Sequence, residues 1–193
     1  MIRDFLKQKM LGEKDINKRI NALAKEIIID SKKNKDQTIV IIVILNGAFV
    51  FAADLIRAIS KIINKESLAI DLIVDALAVH RYGNGTKGSG KITVDKKQLK
   101  IIKETYKGTK KIICDDIADE GTTLEFIDKE ICDPSNTKKC VLLKKSAKIK
   151  SGLNIEYFGF SIPDEYIVGI GMGKGNEGRE LPDIWAIDTS KLT

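Results

Sequence analysis

The stretch Lys110 to Leu124, KKIICDDIADEGTTL, constrains the fold more than any other part of the chain. Its apolar run, Ile112, Ile113 and Cys114, suits a parallel strand buried on both faces. Asp115 and Asp116 follow, then Asp119, a turn at Glu120-Gly121, and the hydroxyls Thr122 and Thr123. From Leu124 the pattern changes. Leu124, Ile127 and Ile131 recur at helical spacing, with Glu125, Asp128, Lys129 and Glu130 between them. The reading is strand, tight polar loop, helix.

That order has chemical consequences. The loop falls at the carboxyl end of a strand, where open α/β sheets bind ligands. Its amides lead into a helix N-terminus, which attracts anions, and Thr122 and Thr123 add hydroxyl donors suited to a phosphate. Asp115 and Asp116 beside such an anion call for something cationic or hydroxylic, and ribose hydroxyls or hydrated Mg²⁺ both fit. A loop that grips a phosphate and a sugar diol together suggests a ribose-phosphate ligand. A plain strand-to-helix turn with acids as helix caps would use the same residue types.

Elsewhere strands and helices alternate. Gly12 to Asn34 carries Ile16, Ile20, Leu23, Ala24, Ile27 and Ile28 on one helical face. Thr38 to Leu45, TIVIIVIL, is apolar on both faces, as a central parallel strand should be. It breaks at Asn46-Gly47 before a helix from Ala48 to Ile63. Leu68 to Tyr82 and Ile92 to Val94 read as a hairpin, whose glycine-rich tip Gly83 to Gly90 suits either a disordered surface loop or a flexible flap beside a water-sensitive site. Further strands are expected at Cys140 to Leu143, Ile155 to Phe160, Tyr166 to Met172 and Trp185 to Ile187, with a polar loop at Gly173 to Asp183. The fold class implied is α/β: a mainly parallel twisted sheet flanked by helices, in one domain covering residues 1–193.

Composition narrows the function classes. Apolar residues make up 43% and charged residues 31% of the chain, as in a soluble globular protein. No apolar run approaches the ~18 residues of a membrane span, and the N-terminus lacks the apolar core of a secretory signal. The expectation is a cytoplasmic protein with no membrane partner. Cys114, Cys132 and Cys140 lack metal-ligand spacing, and His80 is the only histidine, so zinc is not indicated. The net charge of +6 comes from scattered lysines without interleaved aromatics, which suits polyphosphate substrates and gives no nucleic-acid stripe.

Four stretches, in order, resemble the hypoxanthine/guanine phosphoribosyltransferases of the type I phosphoribosyltransferase fold: VILNGAFVFAADLI, RYGNGTKGSG, ICDDIADEGTTL and YFGFSIPDEYIVGIGM. The third alone is similar to the 5-phosphoribosyl-1-diphosphate (PRPP) motif of the whole superfamily, and the fourth points to its 6-oxopurine branch. The resemblance implies a purine salvage enzyme that transfers phosphoribose from PRPP to hypoxanthine or guanine, with Mg²⁺ as cofactor. It also implies a small hood built from the terminal segments, and dimers or tetramers. It assigns Asp115 and Asp116 to the ribose hydroxyls, partly through Mg²⁺, and Asp119 to the role of general base near purine N7. Glu120, Gly121, Thr122 and Thr123 would cradle the 5-phosphate. Leu45, Asn46 and Gly47, at a junction where a cis peptide is expected, would hold pyrophosphate together with Arg179. Lys145 would bond the purine O6. Tyr166 would stack on the base, with backbone groups near Glu165 and Ile167 reading its edge, and Arg81 and Tyr82 would close with the flap.

Three positions depart from the family pattern. Gly173 stands where relatives carry an aspartate for a second Mg²⁺, leaving Glu177 as a nearby substitute acid. Arg81 replaces a serine beside the flap tyrosine, and Asn46 replaces a basic residue. These departures keep two other readings in view: a PRPP-sensing regulatory protein of the same fold, and a transferase for another base such as xanthine.

Overall fold

A computed structural model describes residues 2–82, 91–131, 133–149 and 152–191. Its centre is a six-stranded sheet in the order β4-β3-β2-β5-β6-β7. The strands are β2 (Thr38–Leu45), β3 (Asp71–Tyr82), β4 (Lys91–Val94), β5 (Lys110–Ala118), β6 (Thr137–Lys144) and β7 (Tyr157–Ser161). All neighbours pair in parallel except β4, which runs antiparallel to β3 from Val79↔Val94 to Tyr82↔Lys91. The expected hairpin is therefore present; its tip, 83–90, lies outside the described residues.

Period-two alternation along β2 divides the core. Ile39, Ile41 and Val43 pack with α1 (Glu13–Asn34) and α2 (Phe49–Lys65) on one face. Val40, Ile42 and Ile44 face α3 (Lys96–Thr105) and α4 (Thr122–Ile131) on the other. A strand apolar on both sides is thus sandwiched between helix layers, as its composition requires. A second, three-stranded antiparallel sheet, β1-β9-β8, joins the ends of the chain: β1 (Leu6–Leu11), β8 (Ile167–Val168) and β9 (Ile184–Ile187). It encloses a small core of Ile2, Val168, Leu181 and Ile187, and forms the expected hood.

Three elements differ from the sequence reading. The strand expected over Tyr166 to Met172 pairs with β9 only at Ile167–Val168, because Gly169, Ile170 and Gly171 all take positive φ and turn the chain, so that Gly169 bridges back to Met172. β1 and α3 escape periodicity analysis. β1 buries none of its residues fully, and α3 buries only Leu99 and Ile102. What fixes the start of α3 is its cap, with Asp95 accepting from the amides of Lys97 at 2.8 Å and Gln98 at 3.2 Å.

The sheet's two ends differ in chemistry. At the amino ends of β5, β6 and β7, the Asp30 carboxylate accepts from Lys110 at 2.9 Å, from the Tyr157 hydroxyl at 2.6 Å and from Lys138. Lys110 also pairs with Asp36 at 3.0 Å. Burial pushes the Asp30 carboxyl up, but Lys138, Tyr157 and Lys110 outweigh it and hold the group well below the ordinary carboxylate range. Nearby, Lys111 is only 1% exposed and gives its protons to the carbonyls of Tyr106 and Thr109 and to Asp133. The carboxyl ends of the same strands open into a cleft. Among the described residues no helix is long and apolar enough to cross a membrane.

The Asp30 cluster predicts a pH signature. Asp30→Asn should lower unfolding free energy at pH 7 by roughly 1–3 kcal/mol, the worth of a charge-assisted hydrogen-bond set. Because the folded-state pKa is depressed, this stabilisation is fully present above the unfolded value of ~3.9 and fades as pH falls through the folded one. Urea titrations of both proteins should give a constant gap above about pH 5 and a narrowing one below ~4.

Candidate active site

β5 delivers Asp115 and Asp116 to the floor of the cleft, and Asp119, Glu120 and Gly121 turn the chain into α4. Gly121 has φ +77°, which favours glycine, and a Cβ there would have to displace the tip of the Leu153 side chain. The Glu125 amide bonds the Gly121 carbonyl at 2.9 Å and starts α4, a ten-residue helix whose first turn brings Thr123 to the cleft lining. Asp115 is buried, and its Oδ1 accepts from the Asp116 amide at 3.0 Å. Asp116 Oδ1 accepts from the Ile117 amide at 2.7 Å. Burial pushes the Asp116 carboxyl above its ordinary range, opposed by a side-chain hydrogen bond with Asp115, by the Ile117 amide and its own amide, and by the Arg179 charge. Two adjacent acids in one partly desolvated place need a cation or hydroxyl donors to ionise together.

A second loop closes on this floor. The Leu45–Asn46 peptide is cis, as expected, and Gly47 lies so close that a Cβ would strike Asp116 Oδ2. A third loop then lies on the second, since a Cβ on Gly171 would strike the Gly47 carbonyl oxygen. Arg179 braces that third loop, donating to the carbonyls of Gly171 at 2.6 Å and Gly175 at 3.0 Å.

The cavity continues beyond Asp119. Lys145, 6% exposed, sits at the end of β6 and donates to Asp119 at 3.1 Å and Asp164 at 2.9 Å. It is a buried, paired ammonium and not the solvated strand-end lysine that its position alone would suggest. Tyr166 is half-buried against the hood core, which raises its phenol pKa, and it lines the same cavity.

Together these groups bound a cavity of about 830 Å³. It gathers Leu45, Asn46 and Gly47 with Asp115, Asp116, Asp119, Glu120 and Thr123, and adds Lys145, Glu165, Tyr166, Ile167 and Arg179. Gly121 and Thr122 stand behind this lining, in the loop and the first turn of α4. Arg81 and Tyr82 end β3, with their side chains outside the described set, while Val79 of the same strand reaches the cavity. Glu177 is exposed in a turn closed by its own backbone bonds to Lys174, and it does not line the cavity. Gly173 lines it, but a Cβ there would sit 2.5 Å from the Glu177 carbonyl oxygen and 2.7 Å from Arg179 Cγ. This loop therefore has no room for the aspartate of the family pattern.

Sequence reasoning missed Lys148 and Asp164. Both line the cavity, and Lys148 pairs with Asp119 at 2.9 Å and Asp164 at 3.2 Å. The SIPDEY segment contains Asp164, but nothing in linear spacing announces its partners. No group of three or more His, Cys, Asp or Glu among the described residues could hold a metal ion. The two floor carboxylates alone suit Mg²⁺ that keeps its waters and takes other oxygens from a substrate.

Comparison with known proteins agrees with this geometry. A family model described as the phosphoribosyl transferase domain matches residues 8–173. The chain is similar to the hypoxanthine-guanine phosphoribosyltransferase of Aquifex aeolicus, 35% identical over 185 residues and 93% of each chain. It is also similar to the hypoxanthine phosphoribosyltransferase of Escherichia coli, 33% identical over 91% of this chain and 92% of the other. Among solved structures, a Trypanosoma cruzi hypoxanthine phosphoribosyltransferase in a ternary substrates complex superposes with a TM-score of 0.82 at 26% identity, covering 98% of this chain and 100% of that one. A Bacillus anthracis hypoxanthine-guanine phosphoribosyltransferase gives a TM-score of 0.75 at 33% identity, covering 95% and 99%.

The crowding at residue 173 is directly testable. Gly173→Ala should cost about 1–3 kcal/mol, the range for forcing extra carbon into a packed site. Gly175→Ala tests a different cause, since that residue has φ +59° but meets nothing within 4 Å. It should cost only the backbone strain of about 1–2 kcal/mol. Thermal or denaturant unfolding of the two variants measures both.

Proposed function

The chain belongs to the phosphoribosyl transferase family, and on that premise we propose that it joins a 6-oxopurine, hypoxanthine or guanine, to the phosphoribosyl group of PRPP. Purine N9 bonds to the anomeric carbon as the bond from that carbon to pyrophosphate oxygen breaks, giving the nucleoside 5′-monophosphate and pyrophosphate. The observation that carries this reading is one cavity with two ends. One end is the N-terminus of α4 above paired carboxylates; the other holds Asp119, Lys145 and Tyr166 around space for a flat base.

Each residue has a physical task in this reaction. The amides of Glu120, Gly121, Thr122 and Thr123, with the threonine hydroxyls, receive the 5-phosphate at the helix N-terminus. Asp115 and Asp116 accept from the ribose 2- and 3-hydroxyls. The same two carboxylates would hold Mg²⁺, which when bound supplies positive charge to the departing pyrophosphate. The Gly47 region and Arg179 add amide and guanidinium donors on that side, with backbone bearing more of the load where Asn46 replaces a cation. Tyr166 stacks on the base, and backbone groups at Glu165 and Ile167 read its edge. The Lys145 ammonium can donate to a 6-oxo group but only repels a 6-amino group, which excludes adenine. Asp119 takes the proton from N7 as N9 becomes bonded. Arg81 and Tyr82, at the end of β3, would close the site against water.

Self-association into dimers or tetramers and a cytosolic location complete the proposal. A solved Trypanosoma cruzi relative is described in terms of how its C-terminal region affects oligomeric state and enzymatic activity.

Three measurements test the reading. Parallel kcat/KM values for hypoxanthine, guanine, xanthine and adenine with PRPP and Mg²⁺ should be highest for hypoxanthine or guanine. Adenine should be disfavoured on the order of 10⁴-fold, as for a site built to bond the missing group. Asp119→Asn should slow single-turnover nucleotide formation on the order of 10²–10⁴-fold; an unchanged rate would remove Asp119 from the mechanism. PRPP with Mg²⁺ should raise the Tm of both proteins, by an equivalent of ~2.7 kcal/mol at a hundredfold excess over Kd.

A further inference from the structure

Lys145 and Asp119, which the proposed reaction sets against the purine, are bonded to each other and to two groups that the reaction does not use. Asp119, Lys145, Asp164 and Lys148 form a closed ring of alternating charge. Its contacts are Asp119 to Lys145 at 3.1 Å, Lys145 to Asp164 at 2.9 Å, Asp164 to Lys148 at 3.2 Å and Lys148 to Asp119 at 2.9 Å. All four residues line the cavity. We infer that Lys148 and Asp164 are positioning residues for base transfer, with Lys148 remaining on both carboxylates when Lys145 turns to the purine. The inference rests on the function proposed above for the same cavity.

The argument is one of partner exchange. Before the purine arrives, Lys145 has two carboxylate partners. Moving it onto a neutral carbonyl oxygen would strip a cation from both acids, and that loss would fall on base binding. Lys148 already touches both acids, on the other oxygen of Asp119 and on the same Asp164 oxygen that Lys145 uses, so each keeps one ammonium after the exchange. The two lysines are held in step by a single turn, in which the Lys148 amide donates to the Lys145 carbonyl at 2.8 Å. Lys148 is the more exposed, with 32% of its side chain accessible against 8% for Lys145, so it suits the part of the standing counter-ion.

The ring also links segments that must act together. Asp119 belongs to the loop after β5, whereas Asp164 lies in the turn that leads directly into Glu165 and Tyr166. Holding Asp164 therefore holds the stacking segment at a set distance from the proton acceptor. Accepting from Lys148, the Asp119 carboxylate raises the ammonium above its ordinary pKa against the pull of burial, with Asp164 adding to the rise. Lys148 thus stays charged across the neutral range.

Steady-state kinetics with Lys148→Met, Lys148→Arg and Asp164→Asn test the inference, varying hypoxanthine at saturating PRPP and then the reverse. Lys148→Met should raise KM for hypoxanthine roughly five- to tenfold, as for a lost charge-assisted contact, and leave KM for PRPP within about twofold. Lys148→Arg should restore the base KM. Asp164→Asn should raise the base KM as well, because the stacking segment then loses its charged tie to both lysines. A Lys148→Met protein with unmoved base KM overturns the inference alone. So does an equal rise in both KM values, which is what loosened folding produces. An unsubstituted protein that turns over no 6-oxopurine overturns the parent reading and this inference with it.

Discussion

The close approach of three backbone segments over one carboxylate is what the site depends on. Gly47 leaves room for Asp116 beneath it, and Gly171 leaves room for the Gly47 carbonyl. A side chain at either glycine would push the layers apart. Parallel pairing sets this stack up from below. β2 and β5 are neighbours in register from Ile39↔Lys110 to Val43↔Cys114, so the turns that follow them emerge side by side. The hood then rests on top through Arg179, whose guanidinium is bonded to the carbonyls of its own loop. Three consecutive positive φ values, at Gly169, Ile170 and Gly171, mark where the chain must leave β8 and still return to β9, and of the three only Ile170 carries a Cβ.

Charge is arranged by the same logic. The cleft floor holds two adjacent acids, and burial raises Asp116 against the opposing charge of Arg179. Beyond the loop, acids and ammoniums alternate, so Asp119 and Asp164 are matched by Lys145 and Lys148. A site for a polyanionic sugar needs its acids exposed to an incoming cation. A site for a neutral flat base instead needs its charges balanced against one another, with one ammonium able to change partner. The 830 Å³ cavity contains both kinds of environment within a few residues of β5 and β6.

How much of this was legible in the sequence depended on whether the signal was local. β2 and β5 could be read because two-sided burial writes continuous apolar runs, and α1 because its buried residues recur at helical spacing. The strand, turn and helix of Lys110 to Ile131 could be read because the three are contiguous. β1 and α3 could not, since each is fixed mainly by partners remote in sequence or by a cap and carries little apolar pattern of its own. β8 was overread because Tyr166 to Met172 looks apolar throughout, while three consecutive positive φ values cut it short. Lys148 and Asp164 were invisible as a pair because the ring they close joins the β5 loop to two later turns. Gly173 was read as a lost metal ligand; in the structure it is also a steric necessity, imposed by Glu177 and Arg179.

The clamp around Asp30 sits at the edge of the sheet remote from the cleft, where it ties α1 to β5, β6 and β7 through one carboxylate. Folding and recognition are thereby secured at opposite poles of the molecule. Loops on the recognition pole are free to diverge toward other bases or other leaving groups while the scaffold keeps its fastening, which is the arrangement a versatile protein lineage requires.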